Sequence, residues 1–210
     1  MHGVLIINKE SGPTSRDVVD EVSKILNTKK IGHTGTLDPI ASGLLVLCIG
    51  KATKLVNFIT SSDKEYIASF KLGIKTDTGD ITGKVIEEAK VSLRTKEVKN
   101  AFLKFPRIYN QEVPIYSAVK IKGKKLYEYA RANEEVKLPS REVEIKELEL
   151  ISFKGKTITF RALVSKGTYI RSLINDICKK LNTVGTMTSL VRAKQGSFLI
   201  DDGFTVKEVA

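Results

Sequence analysis

Residues 32–45 read GHTGTLDPIASGLL, and the apolar run that begins there continues through Ile49 as LLVLCI. Three glycines, one histidine and one aspartate are crowded ahead of a strand-like segment. Gly32, Gly35 and Gly43 permit tight turns and close approach by another backbone. Pro39 disfavours helical geometry at the residue before it, so Asp38 is set in an extended or turn conformation with its carboxylate aimed one way. The segment holds no lysine, cysteine or second acid, so any partner for Asp38 comes from elsewhere in the chain. By residue type alone, Asp38 is a nucleophile or electrostatic stabiliser in a nucleic-acid cleft, or a turn residue.

Spacing removes several chemistries. A phosphate-binding loop needs four residues between its glycines, followed by Lys and Ser or Thr. Here six residues separate Gly43 from Gly50, and Lys51 is followed by Ala52. No GxGxxG opens a helix after a strand, and IASG lacks the first glycine of a nucleophile elbow. The only histidines are His2 and His33, and the two cysteines, Cys48 and Cys178, form no CxxC pair. A zinc site would have almost no ligands, and two isolated cysteines suit buried thiols in a reducing compartment.

Composition widens the frame. The 210 residues are 41% hydrophobic and 28% charged, as in ordinary globular proteins. Lys and Arg outnumber Asp and Glu by 35 to 24, a net charge of +11 that attracts polyanions. No apolar run is long enough to span a bilayer, and MHGVLIINKESG cannot supply a signal-peptide core. The expected compartment is the cytoplasm.

Strands are predicted at GVLIIN, LLVLCI, KEYIASFKL, TITFRALVS and TMTSLVRAKQGSF. Helices are predicted after a cap at Thr14 or Ser15, over Ala52–Ile59, over Thr95–Phe105, and over TYIRSLINDICKKL, where Ile170, Leu173, Ile174, Ile177 and Leu181 recur at helical spacing. KTDTGDITGK suits a surface hairpin or loop. Residues 106–132 carry four tyrosines, two prolines and many cations without a persistent period. Rings to stack bases and cations to hold phosphates would serve a segment that clasps RNA; an ordinary connection with part-buried tyrosines is the plainer alternative. No repeat or linker divides the chain, so the expectation is one α+β domain over 1–210.

The loop closely resembles the signature of the TruB family of tRNA pseudouridine synthases. SDKEY (62–66), KTDTGD (75–80), PIYSAVKIKGKKLYEYAR (114–131), SKGTYIR (165–171) and LVR (190–192) follow in the family's order. The 116–131 segment is similar to the bacterial stand-alone form. Glu10 departs from the pattern, standing where the family often has proline. The resemblance implies a mixed, mainly antiparallel sheet flanked by helices, with a central active-site cleft. It implies isomerisation of the T-loop uridine at tRNA position 55 to pseudouridine, after the base is flipped out, with Asp38 as nucleophile at C6 of the base or C1′ of the ribose.

By the same resemblance, Arg171 pairs with Asp38, and Tyr66 stacks on the uracil and takes part in removing its C5 proton. Tyr169 positions Arg171 or the nucleotide, His33 contacts the flipped RNA, and Leu190 closes the pocket. Asp77, Lys64 and Arg192 complete the substrate-binding set. No metal or cofactor is implied. The partner is the T-arm of tRNA, with no membrane, guide RNA or obligate protein partner, and the expected state is a monomer. A C-terminal PUA domain, usual in bacterial members, is expected to be absent because the chain stops at FTVKEVA.

Overall fold

The computed structural model describes residues 1–210, which divide into two compact units, Met1–Ile67 with Ser189–Ala210, and Ala68–Thr188. The first unit opens with β1 (Gly3–Lys9), α1 (Ser15–Ile25), β2 (Ile31–His33) and β3 (Ser42–Ile49). Thr14 caps α1 by a reciprocal box in which its hydroxyl accepts from the Asp17 N–H and the Asp17 carboxylate accepts from the Thr14 N–H. The helix expected over Ala52–Ile59 is two pieces: a 3-10 turn over Gly50–Leu55, then α2 (Val56–Thr60). Gly50, at φ +60, redirects the chain from β3, and the Thr53 hydroxyl donates to its carbonyl at 2.8 Å, favouring the tighter first turn.

β4 (Lys64–Leu72) begins in the first unit and ends in the second. Its burial alternates residue by residue, as expected of KEYIASFKL. The second unit continues with β5 (Ile74–Thr76), β6 (Val85–Glu88), α3 (Thr95–Leu103) and β7 (Ile108–Glu112). Then come β8 (Lys120–Ile121), β9 (Lys124–Lys125), α4 (Leu126–Arg131), β10 (Ser140–Lys154), β11 (Thr157–Val164) and α5 (Ile170–Lys180). β12 (Gly185–Gln195) returns the chain to the first unit, which closes with β13 (Phe198–Leu199) and α6 (Val206–Val209).

In the first unit the strand order is β1-β3-β12, with β2 also on β3 and β13 on β12. All these pairings are antiparallel except β3 with β12, where Ser42 and Gly43 face Val191 and Arg192 in parallel register. The sheet is therefore mixed but mainly antiparallel, and helices flank it. One face of β3 packs Leu45 and Leu47 with Ile7 against Val18, Val19 and Val22 of α1. The other packs Leu44, Val46 and Cys48 against Ile59. Covered on both sides, β3 reads as an unbroken apolar run for the reason such runs exist.

In the second unit the order is β4-β11-β10-β7, and Phe160 of β11 meets Phe70 and Phe102 edge-on at 5.9 and 5.8 Å. KTDTGDITGK is a hairpin between β5 and β6, as the sequence suggested. Residues 106–132 have regular structure that their composition hid. β7 is a sheet strand paired with β10, and a short hairpin, β8 with β9, leads into α4. No helix is long and apolar enough to cross a membrane.

Candidate active site

Asp38 is half-buried on the loop between β2 and β3, and its neighbours are fixed one by one. Ser15, the first residue of α1, donates through its hydroxyl to the Leu37 carbonyl and accepts from the Leu37 N–H at 2.8 Å. The Gly12 N–H donates to the Pro39 carbonyl, the Ser11 hydroxyl to the Ile40 carbonyl, and the Ala41 N–H to the carbonyl of Asp38 itself. From the end of β1, Lys9 reaches in with its ammonium on the carbonyls of Ala41 at 2.7 Å and Glu10 at 2.8 Å, and more distantly Pro39. Lys9 is only 1% exposed, and burial lowers its pKa from the usual lysine value; Asp38 pulls it upward, while Arg192 adds to the lowering. Sequence reasoning passed over Lys9 and Ser15, because a lysine ending a strand and a serine opening a helix look solvated until the loop is folded onto them.

Arg192 holds the loop's two ends. Its Nε donates to the Leu44 carbonyl at 2.7 Å and a terminal nitrogen to the Gly35 carbonyl at 3.0 Å. Gly43 sits at φ +100, and a Cβ there would lie 2.5 Å from the Arg192 carbonyl oxygen, so the parallel β3–β12 contact requires glycine. His33 closes the other side. Burial lowers its pKa from 6.5, and Arg192 and Arg16 add to the effect, so the ring is neutral at physiological pH. Its Nδ1 accepts from the Gly35 N–H, which puts the ring proton on Nε2. The Asp38 loop is thus held, in the same unit, by a buried lysine and a buried arginine, with a neutral imidazole at its start.

Tyr66 lies buried on β4 in this unit, and Leu190 is buried on β12. Lys64 is buried as well, its ammonium donating to the carbonyls of Thr60 and Ser62 at 2.8 and 2.7 Å. Its stem passes close to Gly35: a Cβ on that glycine would lie 3.7 Å from the Lys64 Cε.

The second unit holds the remaining residues singled out by sequence. Arg171 is at the start of α5, buried, with its terminal nitrogens donating to the carbonyls of Thr78 and Tyr116 at 3.0 Å each. Those bonds fix the plane of the guanidinium, and Gly79 packs along its stem. Tyr169 caps α5: its N–H donates to the Gln111 side chain, and Arg141 stacks over its ring at 5.5 Å. Asp77 accepts from the N–H groups of Thr78 and Lys84 and so organises the β5–β6 turn. Around 124–131, Lys124 lies over Tyr129, and Lys125 and Arg131 over Tyr127, so cations and rings are interleaved in space as they are in sequence.

Thiol chemistry has no foothold, since burial pushes Cys178 up to about 12 and raises Cys48 also. Nowhere do three His, Cys, Asp or Glu side chains gather in a group that could hold a metal ion.

Residues 23–170 match the family described as TruB family pseudouridylate synthase (N terminal domain). The protein named tRNA pseudouridine synthase B of Bacillus pumilus is 46% identical over 100% of this chain and 70% of its own length. Its namesake in Caldicellulosiruptor saccharolyticus is 48% identical over 98% of this chain and 71% of its own. Among solved structures, one titled as a crystal structure of a Cbf5-Nop10-Gar1 complex contains a chain 30% identical, with a TM-score of 0.77. That likeness covers 98% of this chain and 52% of the other, so this chain spans about half the length of that relative.

Proposed function

The chain belongs to the TruB family of pseudouridylate synthases, and on that footing we propose that it isomerises a uridine of tRNA to pseudouridine, with the T-loop uridine at position 55 as substrate. The observation that carries the reading is the Asp38 loop, a single carboxylate aimed by Pro39 and held through its neighbours by Lys9, Ser15 and Arg192.

The reaction needs little else. The N1–C1′ bond breaks, the uracil turns, a C5–C1′ bond forms, and C5 loses a proton while N1 gains one. Neither redox nor net hydrolysis is involved. The Asp38 carboxylate adds to C6 of the base or to C1′ of the ribose, forming a covalent link that is later released. Arg171 is assigned to the reaction as an always-charged planar fork of the kind that suits a carboxylate. Tyr66 stacks on the flipped uracil and helps remove the C5 proton, and Leu190 keeps water from the base. Tyr169, His33, Lys64, Asp77 and Arg192 are assigned to holding the nucleotide and its segments in place.

Residues 106–132 supply the clasp for the T-arm, their tyrosines and cations meeting bases and phosphates. The chain works as a monomer in the cytoplasm, without guide RNA or protein partner. The purified chain tests this with tRNA transcripts tritiated at uracil C5. Tritium release from the parent transcript, absent when position 55 is cytidine, is the expected result. Release unchanged by that substitution would contradict the site, and no release at all would contradict the activity.

A further inference from the structure

A glutamine buried among apolar side chains keeps its place only through hydrogen bonds from its amide. Gln195, the last residue of β12, is 0% exposed. Its Nε2 donates to the Thr34 carbonyl at 3.1 Å and the Ile59 carbonyl at 3.0 Å, with the Thr34 hydroxyl at 2.9 Å. Its Oε1 is buried without a protein donor, so the residue is anchored through the N–H side.

The two acceptors lie on the two segments that carry the proposed chemistry of this unit. Thr34 is in the loop four residues before Asp38. Ile59 lies on the apolar face of α2, one residue before its end and just ahead of the turn through residues 61–63 that leads into β4 and Tyr66. The helix end and this turn are tied twice more, by the Gly196 N–H on the Asp63 carbonyl at 2.9 Å and by Lys64 on Thr60 and Ser62. A leucine at 195 would fill the space but leave the carbonyls it now bridges without that donor.

We infer that Gln195 is a positioning residue for the isomerisation: one amide sets the Asp38 loop against the turn that delivers Tyr66. The inference rests on the proposed function. Displacement of a reacting group by a fraction of an ångström to one ångström slows turnover strongly while leaving remote binding contacts alone. The effect therefore falls on kcat and spares KM for tRNA.

Three measurements on the parent, Gln195→Leu and Gln195→Glu test it: kcat and KM by tritium release, melting midpoint, and the pH profile of kcat. Gln195→Leu is expected to lower kcat about tenfold or more, well below its melting midpoint, with KM little changed. Gln195→Glu is expected to be poor at neutral pH, where a carboxylate faces two carbonyls, and to recover toward acid as the protonated carboxyl donates one bond. Neither the parent nor Gln195→Leu has a reason to show that recovery. A folded Gln195→Leu protein with near-parent kcat, or one altered in KM alone, would overturn the assignment. Failure of both variants to fold would make Gln195 a folding residue and overturn it equally. A parent without activity would contradict the proposed function itself; an active parent beside an unaffected leucine variant contradicts only the role of Gln195.

Discussion

Asp38 is one of 24 acidic residues, and what distinguishes it is the number of groups that fix the backbone on either side of it. Lys9 and Ser15 were not flagged as site residues by any sequence pattern, and Arg192 only through the LVR motif, yet each donates to a carbonyl of residues 35–44. His33 belongs to the same set and gives it a pH dependence. Its folded pKa lies below 6.5, chiefly through burial. Above that value neither folded nor unfolded chain carries the proton, and stability is at its full level. As pH falls below 6.5 the unfolded chain takes up a proton that the folded ring resists, so stability declines through that window. Urea denaturation of the parent and His33→Asn between pH 7.5 and 5.5 checks this. The gap between them is expected to shift toward the variant on acidification, and a gap constant with pH would contradict it.

At the scale of elements, α1 does two jobs with adjacent residues: Thr14 caps it, and Ser15 clamps the Asp38 loop at Leu37. Ser15→Ala leaves the buried Leu37 N–H without its acceptor and is expected to cost roughly 1–3 kcal/mol in a denaturant titration, with turnover reduced as the loop loosens. Unaltered stability and turnover would remove Ser15 from the account. The elements were legible wherever one period persisted: α1, α5, β3 and β4 stand where the patterns put them. β10 escaped because its register shifts between Ile145 and Glu147 and again between Leu150 and Ser152, which breaks the alternation that would announce a strand. The 106–132 segment escaped because a strand, a two-residue hairpin and a short helix each end before any period can show. Asp38 drew attention through its loop alone, whereas the roles proposed for Tyr66 and Arg171 came only from resemblance. Gln195 carries no local signal, since its partners lie more than a hundred residues away in the chain.

For the whole molecule, a net charge of +11 makes tRNA affinity largely a matter of phosphate contacts and counterion release. Affinity measured by filter binding is expected to fall roughly a hundredfold or more between low and physiological salt. Affinity flat across that range would contradict the electrostatic part of the reading. Separating affinity from chemistry gives the most direct test of the central claim, that Asp38 does the chemistry on a uridine of bound tRNA. Tritium release and filter binding are measured side by side for the parent and Asp38→Asn. The amide preserves size and polarity but cannot form the carboxylate's covalent link. Turnover is expected to vanish while tRNA affinity stays the same or rises slightly, one anion having been removed from beside a polyanion. A folded Asp38→Asn chain that binds tRNA and still releases tritium at near-parent rate would contradict the account.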